Sequence, residues 1–177
     1  HMNRPLEALK SMVNSVKKDG LVVNVEVNRE FENAGLYIDE IPYDYLCTAF
    51  DFHKLWKKEM ELEGRDYAIG MRLPFYMRQL GLHDIDIRVN DKVMYVNSDM
   101  QDYEEKVQDF IEINGLDKPI RVSESENTIE FFMSRGVDRA EAEEYIKMRA
   151  KIAEYFRTND SKKSFLKVQG LLITYGR

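Results

Sequence analysis

Four side chains suited to recognition chemistry fall in one short stretch, GRDYAIGMRL: Arg65, Asp66, Tyr67 and Arg72, with Gly70 among them. The guanidinium of Arg72 presents a planar fork of donors that matches an anionic group, and Asp66 could orient Arg65 or a substrate amine. The same residues serve equally well as an ion-paired loop in which Gly70 takes a positive-φ turn. Upstream, Glu26 and Asn28 close a run rich in β-branched residues. If that run is a parallel strand, they stand at its C-terminal end, where open α/β sheets place their ligands; a capped turn is the competing reading. Tyr37, Tyr43 and Tyr45 border a long helix and either line an apolar cleft or pack beneath a lid. No catalytic residue can be named from these types and spacings.

Other chemistries are disfavoured by what is sparse. Cys47 is the one cysteine, and His53 and His83 have no ligand cluster nearby, so neither an internal disulfide nor a metal site is expected. The nine glycines never stand closer than six positions apart, which removes both the dinucleotide-type turn and the P-loop. The 177 residues carry 26 Lys plus Arg against 32 Asp plus Glu, a formal net charge of -6, so no nucleic-acid partner is expected. Apolar runs are only a few residues long, and no membrane span is expected. A reducing, cytoplasmic setting fits a lone cysteine.

These residues need elements to position them. Leu6, Leu9, Met12, Val13 and Val16 recur at helical spacing, predicting a helix from Asn3 to Lys18 with Asn3 as N-cap and Pro5 in the first turn. LVVNVEV, Leu21 to Val27, predicts a strand. A poorly periodic connection from Arg29 to Ile41 leads to a long helix, Tyr43 to Glu63. A loop then enters a short helix opened by Pro74 and stopped by Gly81. Alternation from Asp84 to Val96, with a turn at Asn90-Asp91, predicts a strand and a hairpin return. Helices follow over Asp99 to Asn114, Ser123 to Arg135 and Asp138 to about Thr158, with Ser123/Glu126 and Asp138/Glu141 as capping boxes. FLKVQGLLITY, Phe165 to Tyr175, closes the chain as one strand. The expectation is a single α/β domain over 1–177, with residues 97–160 a helical insertion or lid.

Three stretches resemble class I S-adenosylmethionine-dependent methyltransferases. LEALKSMVNSVKKDGLVVNVEVN, Leu6 to Asn28, resembles the helix, the glycine turn and the fifth strand of that family, with Lys18-Asp19-Gly20 at the turn and Glu26-Val27-Asn28 like the "E/D-x-N" that follows the strand. GRDYAIGMRLPFYMRQLGLHDIDIRVNDKV, Gly64 to Val93, is similar to a segment reading "G-x-D-x-x-I-G-x-x-L-P" before a helix, "G-L" and the sixth strand. GLLITYGR resembles the last strand. The resemblance implies a partial Rossmann-like sheet in which Leu21 to Val27, Phe165 to Tyr175 and Ile85 to Val89 stand in the family order 5-7-6, with strand seven antiparallel. It also implies that the glycine-rich half binding S-adenosylmethionine is not in this sequence. The chain would be a C-terminal portion that binds no donor by itself and supplies the acceptor-side pocket and lid, through Glu26, Asn28, Tyr37, Tyr43, Arg65, Asp66, Tyr67 and Arg72, for a small-molecule methyl acceptor. Strand five would then become a sheet edge, and a homodimer through Leu21 to Val27 is expected. The competing class is a non-enzymatic α/β interaction module that uses this edge or a helical face.

Overall fold

The computed structural model describes residues 4–90, 92–119, 122–158 and 162–177. It is a mixed α/β structure with two small antiparallel sheets. The chain divides into two compact units: one comprises the residues up to Gly35, Glu59–Val93 and Val168–Arg177, the other Leu36–Lys58 and Met94–Lys167.

The first unit is a three-stranded sheet with helices against one face. Helix α1 (Pro5–Ser15) has Pro5 in its first turn, where a missing N–H costs nothing; the expected N-cap Asn3 lies outside the described residues. Strand β1 (Val22–Val27) follows. Near the end of the chain β6 (Leu171–Gly176) pairs antiparallel with β1, and β3 (Asp86–Val89) pairs antiparallel with the other side of β6, so the order is β1-β6-β3. Strands β1 and β3 thus run the same way, with the antiparallel β6 between them. The Asn28 N–H donates to Gly170 O at 2.7 Å. Asn28 and Gly170 continue the β1–β6 register, so the even-numbered residues of β1 bond β6, while Val23, Val25 and Val27 turn their N–H and C=O away from it.

Alternation assigns the two faces of this sheet. Val22, Asn24 and Glu26 stand opposite Gly176, Thr174 and Leu172 on the inner face; Val23, Val25 and Val27 stand opposite Tyr175, Ile173 and Leu171 on the outer face. Helix α5 (Ile69–Gln79) lies on the inner face, and its Leu73 and Met77 form a core with Leu9, Val22 and Leu82. Pro74 sits inside α5 rather than opening it; its ring removes the N–H that would bond the Gly70 carbonyl. Gly81 (φ 87°) follows the helix end in the left-handed region.

The second unit carries β2 (Leu36–Ile38), β5 (Phe165–Val168) and β4 (Val93–Val96) in the order β2-β5-β4. Its helices are α3 (Tyr43–Leu46), the first half of α4 (Phe52–Glu63), α6 (Tyr103–Asn114), α7 (Val122–Ser134) and α8 (Arg139–Arg157). One core gathers Ile38, Val96, Phe110, Leu116, Ile152, Phe156 and Phe165; another gathers Phe50, Leu55, Ile129, Val137 and Ala142. Gly115 ends α6 in the left-handed region at φ 61°.

Several expected elements are drawn differently. The connection from Arg29 to Ile41 holds helix α2 (Arg29–Ala34) and β2. The long helix from Tyr43 breaks at Cys47–Asp51, because the Asp51 carboxylate accepts the His53 and Lys54 N–H groups at 2.9 and 3.2 Å and starts α4 afresh. Strands β3 and β4 form no hairpin: they belong to different sheets, and Asp91 of the expected turn lies outside the described residues. The closing strand is two strands, β5 and β6, again in different sheets. No capping bond forms at Asp138; instead Asp138 and Glu141 both take Lys54 Nζ, at 3.2 and 3.3 Å. The Ser123 side chain of the other box lies outside the described residues.

Candidate functional site

Six of the eight residues singled out in the sequence lie in the sheet unit: Glu26, Asn28, Arg65, Asp66, Tyr67 and Arg72. Gly70 sets the helix that follows the loop against the strand. A Cβ placed on Gly70 would stand 3.2 Å from Leu172 Cδ1 and 3.4 Å from Glu26 Cβ, so the first turn of α5 rests directly on the end of β1. Gly70 is helical and is not among the positive-φ glycines, which corrects the turn expected there. Its role is close approach. The loop that enters α5 is thereby held at the C-terminal end of β1, beside Glu26.

Asp66 builds that entry. Its Oδ1 accepts the Ala68 N–H at 3.0 Å, its carbonyl accepts the Ile69 N–H at 3.2 Å, and its carboxylate lies 3.4 Å from Arg72 Nη1, one and a half turns on. The Asp66 side chain is 5% exposed. A carboxylate at a helix start is favoured by the backbone dipoles, and Arg72, half exposed, closes the charge from the other side.

Arg65 answers a carboxylate the sequence reading passed over. Glu59, on α4, has no exposed surface, and its Oε2 lies 3.0 Å from Arg65 Nη1. The Tyr67 hydroxyl first and the Glu59 carboxylate next hold the Arg65 guanidinium above its ordinary range. Position 59 belongs to an amphipathic helix, where a glutamate normally reads as a solvated face. The signal that could have flagged it is the arginine six residues later, just past the helix stop at Gly64 (φ 67°).

Asn28 is 7% exposed. Its backbone continues the ladder to Gly170, and its carbonyl accepts the Glu32 N–H at 3.0 Å, so it joins the end of β1 to the start of α2. Tyr37 and Tyr43 belong to the other unit, where their rings lie 6.3 Å apart and remain exposed. Tyr45 lies under Lys151 Nζ at 4.0 Å and lines a shallow cleft of about 370 Å³ with Pro42, Asp44, Thr48, Glu144 and Lys147. The three tyrosines therefore do not join Glu26 within one unit.

The arrangement in the first unit is an ion-paired ledge: two arginines, each half exposed and each paired with a buried carboxylate, one in the loop that enters α5 and one in the first turns of that helix. Each guanidinium carries five donors, and an anchored one can present its free edge to an anionic or carbonyl group without the entropy of ordering a long side chain. No group of three or more His, Cys, Asp or Glu is placed to hold a metal among the described residues. No helix among them is long and apolar enough to cross a membrane. Compared with known proteins, the chain matches no family model and no curated sequence.

Proposed function

We propose that this chain is the acceptor-side portion of an S-adenosylmethionine-dependent methyltransferase. The observation that carries the proposal is the sheet order β1-β6-β3 with the middle strand antiparallel to both neighbours. It supports reading β1, β6 and β3 as strands five, seven and six of the partial Rossmann-like sheet that the resemblance implies. On that reading Glu26 and the loop of Arg65, Asp66 and Tyr67 that leads into α5 belong to the end of strand five, where an acceptor would be held, with Gly70 of α5 resting on that strand end.

The chain's own residues do not fit the donor. Its glycines are dispersed, and Gly64, Gly81, Gly115 and Gly136, the described ones at positive φ, sit singly rather than in a phosphate- or carboxylate-cradling turn. No step is therefore assigned through the donor. What these residues contribute is orientation: methyl transfer needs the acceptor atom aligned with an already activated methyl group, and a preset ledge supplies alignment.

The test is calorimetry with S-adenosylmethionine on the 177-residue chain and on a longer chain that includes the upstream coding sequence. Binding in the micromolar range by the longer chain alone is expected. Micromolar binding by the 177 residues themselves, or an upstream frame with no strand-and-glycine-turn segment, overturns the assignment. The unguarded edge of β1 favours a second reading, an interaction module without catalysis, which the second of those outcomes would support.

A further inference from the structure

The two edges of the β1-β6-β3 sheet differ in how they are finished. Along β3, Asp86 Oδ1 accepts the Ile87 N–H at 2.8 Å, Arg88 Nη2 lies 2.8 Å from the same carboxylate, and Tyr175 Oη donates to it at 2.8 Å. The Asn90 N–H donates to Leu171 O, so the β3 residues bonded to β6 are the even-numbered ones and the Ile87 N–H faces outward. A side chain of the strand itself thus closes that edge, and charge discourages a further strand. Strand β1 has no such device. Its six residues carry one charge, Glu26, and no proline or lysine; Val23 and Val25 are 44% and 56% exposed, and Val23, Val25 and Val27 present their backbone bonding groups outward.

We propose that β1 pairs antiparallel with β1 of a second copy of this chain about a two-fold axis at Val25. The segment Val23-Asn24-Val25-Glu26-Val27 is symmetric in residue type about its centre. With the axis there, Val25 meets Val25, Val23 meets Val27, and the outward backbone groups of all three meet groups that also face outward. On the inner face Asn24 meets Glu26 of the second copy, twice per dimer. Asn24 Nδ2 is buried with no hydrogen-bond partner in the single chain, and directly opposed residues stand about 5 Å apart at Cβ, within reach of an amide-to-carboxylate bond. Neighbouring registers are worse: an axis at Asn24 sets Glu26 against the buried Val22, and an axis at Glu26 sets two carboxylates face to face. On the outer face Val23, Val25 and Val27 of both copies join Leu171, Ile173 and Tyr175 in one continuous apolar surface. The proposal specifies the register of the dimer and stands independently of the methyltransferase reading.

Sedimentation of the full chain over rising concentration should show a shift from 20.9 kDa toward twice that mass. Asn24→Asp, which sets carboxylate against carboxylate at two places, should weaken association about fivefold or more, and the double variant Asn24→Asp/Glu26→Gln should restore it, a rescue that loss of folding would not give. In a Cys47→Ser background, removing the exposed native thiol, Val25→Cys should form a disulfide across the axis, since a bonded antiparallel pair has Cα atoms about 5.5 Å apart. Val23→Cys should not. A monomer at every concentration, equal cross-linking at both positions, or Asn24→Asp associating as wild type would overturn the proposal.

Discussion

Replacing Gly70 by leucine tests whether α5 holds the Arg65–Arg72 ledge against β1. A Cβ at Gly70 would already stand 3.2 Å from Leu172 Cδ1 and 3.4 Å from Glu26 Cβ, inside the 3.5–4.0 Å of an ordinary carbon contact. Leucine adds three further carbons to that filled space, and overpacking of this kind costs about 1–3 kcal/mol. Its better helix propensity returns at most about 0.8 kcal/mol, less in a first turn. The net expectation is a loss of about 1–2 kcal/mol. With a urea dependence of about 2 kcal/mol per molar, the midpoint should fall by about 0.5–1 M. Alanine is the informative companion. The Leu172 methyl can rotate away by a few tenths of an ångström while the Glu26 Cβ is fixed to its strand, so strain and propensity nearly cancel and Gly70→Ala should lie within about 1 kcal/mol of wild type. Far-UV circular dichroism follows the transition, and amide exchange in β1 and β6 locates the loss in the sheet unit. A leucine variant as stable as wild type, with unchanged protection in β1, would refute the contact and with it the placement of the ledge.

Two further outcomes follow from individual residues. Phe165 is 2% exposed with its ring centroid 4.4 Å from that of Phe110 and 5.3 Å from that of Phe156; Phe165→Ala should cost about 3–5 kcal/mol in urea unfolding, and a loss below about 1 kcal/mol would mean that the cluster is not packed. The Tyr175 hydroxyl first, then the Ile87 N–H and the Arg88 guanidinium, hold the Asp86 carboxyl below its ordinary range. A depressed folded-state value contributes stability that is fully present above the unfolded value of about 4 and is lost as pH falls through the folded value. Tyr175→Phe should therefore move the Asp86 midpoint upward in an NMR titration and flatten the acid limb of the stability curve. An unmoved midpoint would remove Tyr175 as the main cause.

Much of the sheet unit was legible because its signals are local. β-Branched residues from Val22 to Val27, Pro5 in the first turn of a helix and a glycine beyond α5 each act on their own backbone. Ile87 and Val89 face inward, as their alternation with Asp86 and Arg88 requires, although both remain exposed at the edge strand. The start of α4 was also written locally, in an aspartate before His53 and Lys54, but the apolar residues spaced from Leu46 to Trp56 concealed it. Less legible was whatever depends on partners distant in sequence. Only Arg65, six residues on, hints that Glu59 is buried, and nothing near Gly70 announces that Glu26 and Leu172, from strands at opposite ends of the chain, press against it. The ion-paired reading of the loop fits Asp66 with Arg72, whereas the carboxylate that pairs with Arg65 is one that the loop does not contain.

The remaining discrepancies fall near the places where the chain passes from one unit to the other. The poorly periodic connection contains the passage at Gly35, the failed hairpin the passage at Val93, and the divided last strand the passage at Lys167–Val168. A period of two records that a residue lies in a pleated, half-buried strand; it carries no label for which sheet receives that strand. FLKVQGLLITY reads as one strand because both halves are strands, and only Gln169-Gly170 separates them. At that break the backbone bonds change hands: the Val168 N–H donates to Gly35 O at 2.7 Å and the Gln169 N–H to Lys92 O at 3.3 Å, so the residues at three of the passages bond one another. Two consecutive strands thus leave the hairpin that their pattern suggests because each finds a better neighbour from a remote part of the chain: β3 beside β6, and β4 in the sheet of β2 and β5. Beside β6, Ile87 and Val89 stand level with Thr174 and Leu172, and in the other sheet β4 brings Val96 into the core of Phe110 and Phe165.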